Sequence, residues 1–181
     1  ALEAGKHVLC EKPMAVASVD AEAMVEAAER AGLLLSINQH MRFDAFAQAM
    51  RAAVAAGELG HVYLADVRMT RRNGIPGFGS WFTRRDLAGH GALFDIGVHM
   101  LDLALFLLGF PEVVRVKGAL SDRLGVQAVG LGEWGIDAGA AGPFEVDDTA
   151  VATLTLAGGA LVRLHVAWAS YGAEEERVTL H

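Results

Sequence analysis

Asp95, His99 and Asp102 stand at spacings of four and three in Gly89-His90-Gly91-Ala92-Leu93-Phe94-Asp95-Ile96-Gly97-Val98-His99-Met100-Leu101-Asp102, a stretch that is otherwise apolar. On a helix these three side chains share one face. An unpaired charge on a buried face costs several kcal/mol or neutralises itself, so the stripe either has polar company or does chemistry. Three readings stay open on spacing alone. The first is a polar helix face with a neutral, hydrogen-bonded His99. The second is a divalent metal shared by carboxylate and imidazole, for which no second cluster of ligands stands elsewhere in the chain. The third is general acid–base chemistry, since an imidazole titrates near neutrality and Asp95 can orient it. Gly91, Ala92 and Gly97 are expected to leave room on this helix for a ligand.

Lys12, one of three lysines, lies between Glu11 and Pro13. It follows the apolar run Val8-Leu9-Cys10, and the proline ends strand pairing there and favours extended geometry at Lys12. In parallel α/β sheets ligands collect at that end of a strand. Lys12 is therefore either an exposed turn lysine or a cation that hydrogen-bonds a substrate oxygen and stabilises negative charge developing on it.

The elements that must position these residues are legible in the periodicities. Ser18 is a candidate N-cap for an amphipathic helix with Ala21, Met24, Val25, Ala28 and Ala31 on its apolar face and Gly32 as its stop. Leu33-Leu34-Leu35-Ser36-Ile37 reads as a strand buried on both faces, which gives a parallel strand–helix–strand unit. A second helix spans Asp44 to about Ala56, with Phe46, Met50 and Val54 on one side and Gly57 closing it. Tyr63 to Thr70 alternates with a period of two, predicting a strand with one covered and one polar face. Residues 74–79 read as loop. The helix carrying the stripe runs to Gly109. Strands follow at Val114–Gly118, Ala150–Leu156 and Leu161–Trp168, the last two joined by a turn at Gly158-Gly159, and Val178-Thr179-Leu180 begins another. The expected second half is an α+β layer of antiparallel strands with one long helix on it.

With 53% hydrophobic residues and a mean hydropathy of +0.33, the 181 residues specify a globular chain. A net charge of −7, with basic pairs confined to Arg71-Arg72 and Arg84-Arg85, argues against nucleic-acid binding. No run of about 20 apolar residues stands out as a membrane span, and no basic-then-apolar leader opens the chain. The single cysteine, Cys10, excludes an internal disulfide and fits a reducing compartment, so a soluble cytoplasmic protein is the expectation.

Gly130, Gly132 and Gly135 form a literal G-x-G-x-x-G, but Ile136 to Pro143 cannot start the helix that a phosphate cradle needs, so the segment reads as flexible loop. Glu133 and Asp137 read as solvated. Ala1 to Gly5 reads as a helix end and His181 falls within a strand, so a fragment of something longer is expected.

Two motifs together carry a resemblance. Ala4-Gly5-Lys6-His7-Val8-Leu9-Cys10-Glu11-Lys12-Pro13 is similar to A-G-K-H-V-x-x-E-K-P, and Gly89 to Asp102 is similar to G-G-G-x-x-x-D-x-G-x-H-x-x-D. These are the motifs of the glucose-fructose oxidoreductase, inositol dehydrogenase and rhizopine-catabolism (Gfo/Idh/MocA) family of NAD(P)-dependent oxidoreductases. Glu145-Val146-Asp147-Asp148-Thr149-Ala150 and Val166-Ala167-Trp168-Ala169-Ser170 resemble the family's second-domain strands. The chain departs from the pattern at His90, which takes the place of the middle glycine and would narrow the pocket.

The resemblance implies the C-terminal part of a dinucleotide-binding Rossmann domain over residues 1–37. Residues 38–181 would then form an α/β substrate-binding and oligomerisation domain, an open, mainly antiparallel sheet with a long helix on one face. It implies hydride transfer between NAD or NADP and a hydroxyl carbon of a sugar, polyol or related small molecule, without a metal. Lys12, Asp95 and His99 take the catalytic roles. Glu11, Lys12, Pro13, Asn38 and Arg42 lie toward the cofactor, and Trp81, Arg84 and His90 toward the substrate. The chain alone lacks the phosphate-binding half of such a domain and is expected to bind dinucleotide weakly. A homodimer or homotetramer through the sheet face is expected, with Val114, Val116, Leu154, Leu156, Val162, Leu164, Val166 and Trp168 supplying an apolar surface. The competing readings are a non-catalytic, self-associating sensor or assembly module of the same fold, and a metal-dependent hydrolase.

Overall fold

Two strands and a helix open the chain. The computed structural model describes residues 1–133 and 142–181, and their contacts divide them into a unit of Ala1–His40 and a unit of Met41–His181. In the first unit β1 (Val8–Cys10) and β2 (Leu35–Ile37) pair in parallel, connected through α1 (Ser18–Ala31). Helix α1 is stopped by Gly32, whose φ of 63° supplies the left-handed residue that closes the last turn. Ser18 is the first helical residue and not the cap; Ala17 takes that position with no side-chain bond. Strand β2 is also shorter than the apolar run and is not buried on both faces: Ser36 is exposed within it and Leu34, just ahead of it, is 72% exposed, as among the described residues this sheet has only two strands.

In the second unit, α2 (Ala45–Ala55) is capped by Asp44, whose side chain accepts from the Phe46 amide. Ala47 is its buried residue, whereas Phe46 is exposed. A five-stranded sheet follows in the order β4 (Val113–Ser121), β5 (Thr149–Leu156), β6 (Leu161–Ala167), β3 (Leu64–Thr70) and β7 (Glu175–Leu180). Three of its pairings are antiparallel, including the β5–β6 hairpin at Gly158-Gly159, but β3 and β6 run parallel at the centre. That pairing joins residues about a hundred positions apart, and no local pattern reports it.

The stretch that reads as one regular helix is broken. A single turn α3 (Arg85–Ala88) ends at Gly89, a π-helical turn occupies Leu93–Gly97, and α4 (Val98–Leu108) continues to Gly109, whose φ is 83°. Residues 85–108 are apolar enough over enough length to cross a membrane, contrary to the expectation from sequence. Yet Ile96, Met100 and Ala104 of this stretch pack in one core with Val67, Leu154, Leu164, Val166 and Trp168 of the sheet.

That packing corrects the expected interaction surface. Leu154, Leu156, Val162, Leu164, Val166 and Trp168 are all buried in this core; of the eight residues named for the surface only Val114 and Val116, on edge strand β4, stand exposed. On the other side of the sheet Arg68, Lys117, Thr153, Arg163 and His165, together with Ala119 and the exposed Val151, line a shallow depression. On β3 the alternate residues are not solvated as a polar face would be. Asp66 is buried against Arg163, which reaches it with both Nε and a terminal nitrogen, and Thr70 donates to the Ala173 carbonyl.

Gly130 and Leu131 are more than loose loop. Ile75 donates to the Gly130 carbonyl and accepts from the Gly132 amide, which ties them to the buried segment 74–78. Gly135 and Asp137 lie outside the described residues, and Glu133 is exposed.

Candidate active site

In the first unit the sequence places polar groups at the carboxyl ends of both parallel strands. The Asn38 amide donates to the Cys10 carbonyl at 2.8 Å, extending the ladder by one residue, and the Asn38 side chain donates to Glu11 Oε1 at 2.7 Å. Glu11, half-buried Lys12 and Pro13 therefore leave β1 beside Asn38, with a cis peptide bond between Lys12 and Pro13. The carboxyl edge of a parallel sheet is where open α/β proteins bind ligands. Residues of this unit fit a dinucleotide's reactive end on that ground: a carboxylate, an ammonium and an amide at adjoining strand ends.

In the second unit Asp147 shapes the entry to the motif helix. Its carboxylate accepts from Gly91 N (2.9 Å) and Leu93 N (2.8 Å), and its carbonyl accepts from Ala92 N (2.9 Å). Gly91 has no room for a side chain, since an added Cβ would meet the Asp147 carbonyl oxygen at 2.0 Å. Ala92 is fully buried, and a Cβ at Gly97 would lie 3.2 Å from both Leu93 and Val166. The small residues that the sequence offered as ligand space are filled by protein packing.

The three stripe residues go to different partners. Asp95 Oδ2 accepts the indole N–H of the fully buried Trp168 at 2.8 Å. His99 is 9% exposed, at the start of α4. Asp102 receives Arg42 Nε (2.7 Å) and a terminal Arg42 nitrogen (2.5 Å), a bidentate pair that holds the Arg42 guanidinium pKa above its ordinary value, with the hydrogen bond as the main cause and burial opposing it. Arg42 also lies 4.8 Å from the centre of the Phe110 ring. Among the described residues no group of three or more His, Cys, Asp or Glu is arranged to hold a metal ion.

The residues expected to line the substrate side divide. His90 Nδ1 lies 3.4 Å from Asp147 Oδ1 and its ring 4.8 Å from that of Phe94. Trp81 is 53% exposed and stacks on Phe82 with 3.8 Å between ring centres. Arg84 pairs with its neighbour Asp86 at 2.8 Å. Trp168 and Asp147, which hold the motif residues Asp95, Gly91 and Leu93 by hydrogen bonds, were not singled out by spacing. Each had a signal: a tryptophan in a buried strand needs an acceptor for its N–H, and two adjacent aspartates entering an apolar strand need donors.

The profile of the GFO/IDH/MocA C-terminal domain matches residues 47–181, and that of an oxidoreductase family with an NAD-binding Rossmann fold matches residues 1–39. The chain belongs to the Gfo/Idh/MocA oxidoreductase family. It is 39% identical over 171 residues to the D-glucoside 3-dehydrogenase of Escherichia coli, covering 93% of this chain and 47% of that protein. It is 35% identical over 178 residues to a putative UDP-kanosamine synthase oxidoreductase subunit of Amycolatopsis mediterranei, covering 98% of this chain and 49% of that one. Among solved structures, an oxidoreductase domain protein from Kribbella flavida superposes with a TM-score of 0.79 at 34% identity, covering 99% of this chain and 46% of that chain. A levoglucosan dehydrogenase in complex with NADH and levoglucosan does so with a TM-score of 0.76 at 26% identity, covering 99% and 45%. This Gfo/Idh/MocA chain spans about half the length of the curated relatives it matches.

Proposed function

We propose that this chain is part of a soluble, cytoplasmic NAD(P)-dependent oxidoreductase. It acts on a hydroxyl-bearing carbon of a sugar or polyol, residues 1–37 belonging to the dinucleotide-binding domain and 38–181 to the substrate domain. The single observation that carries the reading is Asp95 held by Trp168 one turn from His99, in a family helix whose regular winding is broken at that turn. Relatives named for D-glucoside, levoglucosan and 1,5-anhydro-D-fructose chemistry support the sugar class.

Oxidising a carbinol to a carbonyl removes one hydride and one proton. A bound NAD or NADP supplies the hydride acceptor, and in the reverse direction the donor. Glu11, Lys12, Pro13 and Asn38 hold its reactive end. His99 takes the hydroxyl proton on an imidazole nitrogen, and returns it in reduction. Asp95, its oxygen fixed by the Trp168 indole, places the substrate hydroxyl. Lys12 donates to a substrate oxygen and stabilises negative charge developing on it. His90 and Trp81 contact the substrate's remoter groups, and Arg84 lies at the substrate mouth. Arg42, bound to Asp102, anchors the chain ahead of α2 and is not a cofactor ligand. The protein associates through its uncovered sheet face into a homodimer or homotetramer.

A screen of sugars and polyols with the complete protein, following nicotinamide absorbance with NAD and with NADP, tests this. Turnover of a sugar alcohol is the expected result. Failure across aldoses, glycosides, anhydrosugars and inositols with both cofactors overturns it.

A further inference from the structure

One residue accepts three consecutive backbone amides at the point where the motif helix begins. Asp147 takes Gly91 N on Oδ1 and Leu93 N on Oδ2 through its side chain, and Ala92 N through its own carbonyl. The first amides of a helix have no partner within it, so these three acceptors satisfy the entry to the π-helical turn Leu93–Gly97. Beyond them the Phe94 and Asp95 amides both close on the Gly91 carbonyl, at 3.1 and 2.9 Å. The backbone of Asp95 is thus set two steps from Asp147.

The contact is close-fitting on both sides. Asp147 is 4% exposed, and the missing side chain of Gly91 is what lets its carbonyl approach. The next residue, Asp148, contributes its carbonyl to the Trp168 amide at 2.8 Å, and Trp168 in turn donates its indole N–H to Asp95. One short segment therefore fixes Asp95 at its backbone and at its side chain.

We propose that Asp147 is a positioning residue: by accepting the Gly91 and Leu93 amides, its carboxylate sets the π-helical turn that aims Asp95 and His99 at the substrate. This rests on the reading of Asp95 and His99 given under the proposed function. The adjoining Asp148 carboxylate serves a different end. It accepts from Leu124 N, Gly125 N and the Thr149 hydroxyl, and so holds the loop after β4.

The chemistry of an amide makes the test specific. Asn in place of Asp147 keeps the shape but offers one acceptor oxygen, and turns an N–H₂ donor toward a backbone N–H donor. The experiment compares Asp147→Asn with Asp148→Asn in the complete protein by hydrogen exchange of residues 91–99 without substrate or cofactor, by kcat and KM on the substrate found in the screen, and by the pH profile of kcat/KM. Asp147→Asn should lose exchange protection over 91–99, lower kcat by about tenfold to a hundredfold with KM within about threefold, and displace the acid limb of the profile. Asp148→Asn should lose thermal stability yet keep the protection of 91–99, kcat and the profile. Equal loss of kcat in both variants, or an Asp147→Asn enzyme with wild-type kcat and exchange, overturns the proposal. If Asp147→Asn does not accumulate folded, Asp147→Glu, which displaces the carboxylate by one methylene, is held to the same expectations, and failure of both to fold assigns Asp147 to global stability and overturns the positioning role. Retained turnover in His99→Ala would defeat the underlying reading instead, and the exchange measurement would still decide whether Asp147 sets the turn.

Discussion

Trp168 donates its indole N–H to Asp95 Oδ2 at 2.8 Å, from a side chain with no exposure to solvent. The bond joins the end of β6 to the turn ahead of α4 and gives a half-buried carboxylate one fixed lone pair. In Trp168→Phe the aromatic bulk largely remains and this donor is lost. We expect a loss of about 2–4 kcal/mol in stability from the lost hydrogen bond and the residual cavity, together with about a tenfold fall in kcat. Urea denaturation and steady-state turnover of the same preparation check both.

Gly91→Ala probes the fit between the motif and Asp147. The added methyl would sit 2.0 Å from the Asp147 carbonyl oxygen and 2.8 Å from Val146 Cγ2, so backbone must shift. A destabilisation of about 2–4 kcal/mol is the expected outcome, read as a lowered denaturation midpoint, whereas Gly5→Ala, with no atom within 4 Å of the added Cβ but a left-handed φ of 71°, should cost about 1 kcal/mol.

Acid should lower the stability of the second unit in two steps. Burial, with Arg68 adding to it, pushes the His165 imidazole below its ordinary value against the opposing pull of Glu175 and Asp66. The unfolded chain then takes up that proton first, so stability present above about pH 6.5 declines as pH falls below it toward the folded value. Asp66, hydrogen-bonded by Arg163, is held below the ordinary carboxylate range despite its burial. Its contribution is complete above about pH 4 and is lost as pH falls below that toward its depressed folded value. Thermal melts across pH should show the upper step flattened in His165→Gln and the lower one in Asp66→Asn.

Arg42 and Asp102 form a bidentate pair that lysine cannot reproduce. Arg42→Lys is expected to lower the midpoint of thermal unfolding by a few degrees, to loosen residues 40–44 in hydrogen exchange, and to leave cofactor affinity within about twofold. A loss of cofactor affinity beyond tenfold would restore Arg42 to the cofactor site.

Much of the architecture was legible because local chemistry dictates it. Gly32 and Gly109 closed helices where left-handed residues were needed, and Gly158-Gly159 turned the β5–β6 hairpin. The Asp95 and His99 motif stood out because titratable side chains are rare in apolar surroundings, and Lys12 stood out because it sits between Glu11 and Pro13 at a strand end. What escaped depends on contacts distant in sequence. The parallel β3–β6 pairing, the Arg163–Asp66 pair that buries a carboxylate on β3, and the Asp147 bonds that break the motif helix into a π-helical turn each join segments more than fifty residues apart. Periodicity also misjudged the sheet, because it tells which residues share a face and not which face the helix covers. The small residues at 91, 92 and 97 were misread for a similar reason: a gap in a side-chain pattern is filled equally well by a ligand or by backbone from another strand.

The most direct test is turnover of the complete protein carrying Lys12→Ala, His99→Ala or both, on a sugar substrate identified with the wild-type enzyme. Each single variant should retain its fold and lose about a hundredfold to ten-thousandfold in kcat/KM, and the double variant should be at least as impaired as the poorer single one. Single variants that both turn over within a few-fold of wild type would contradict the account.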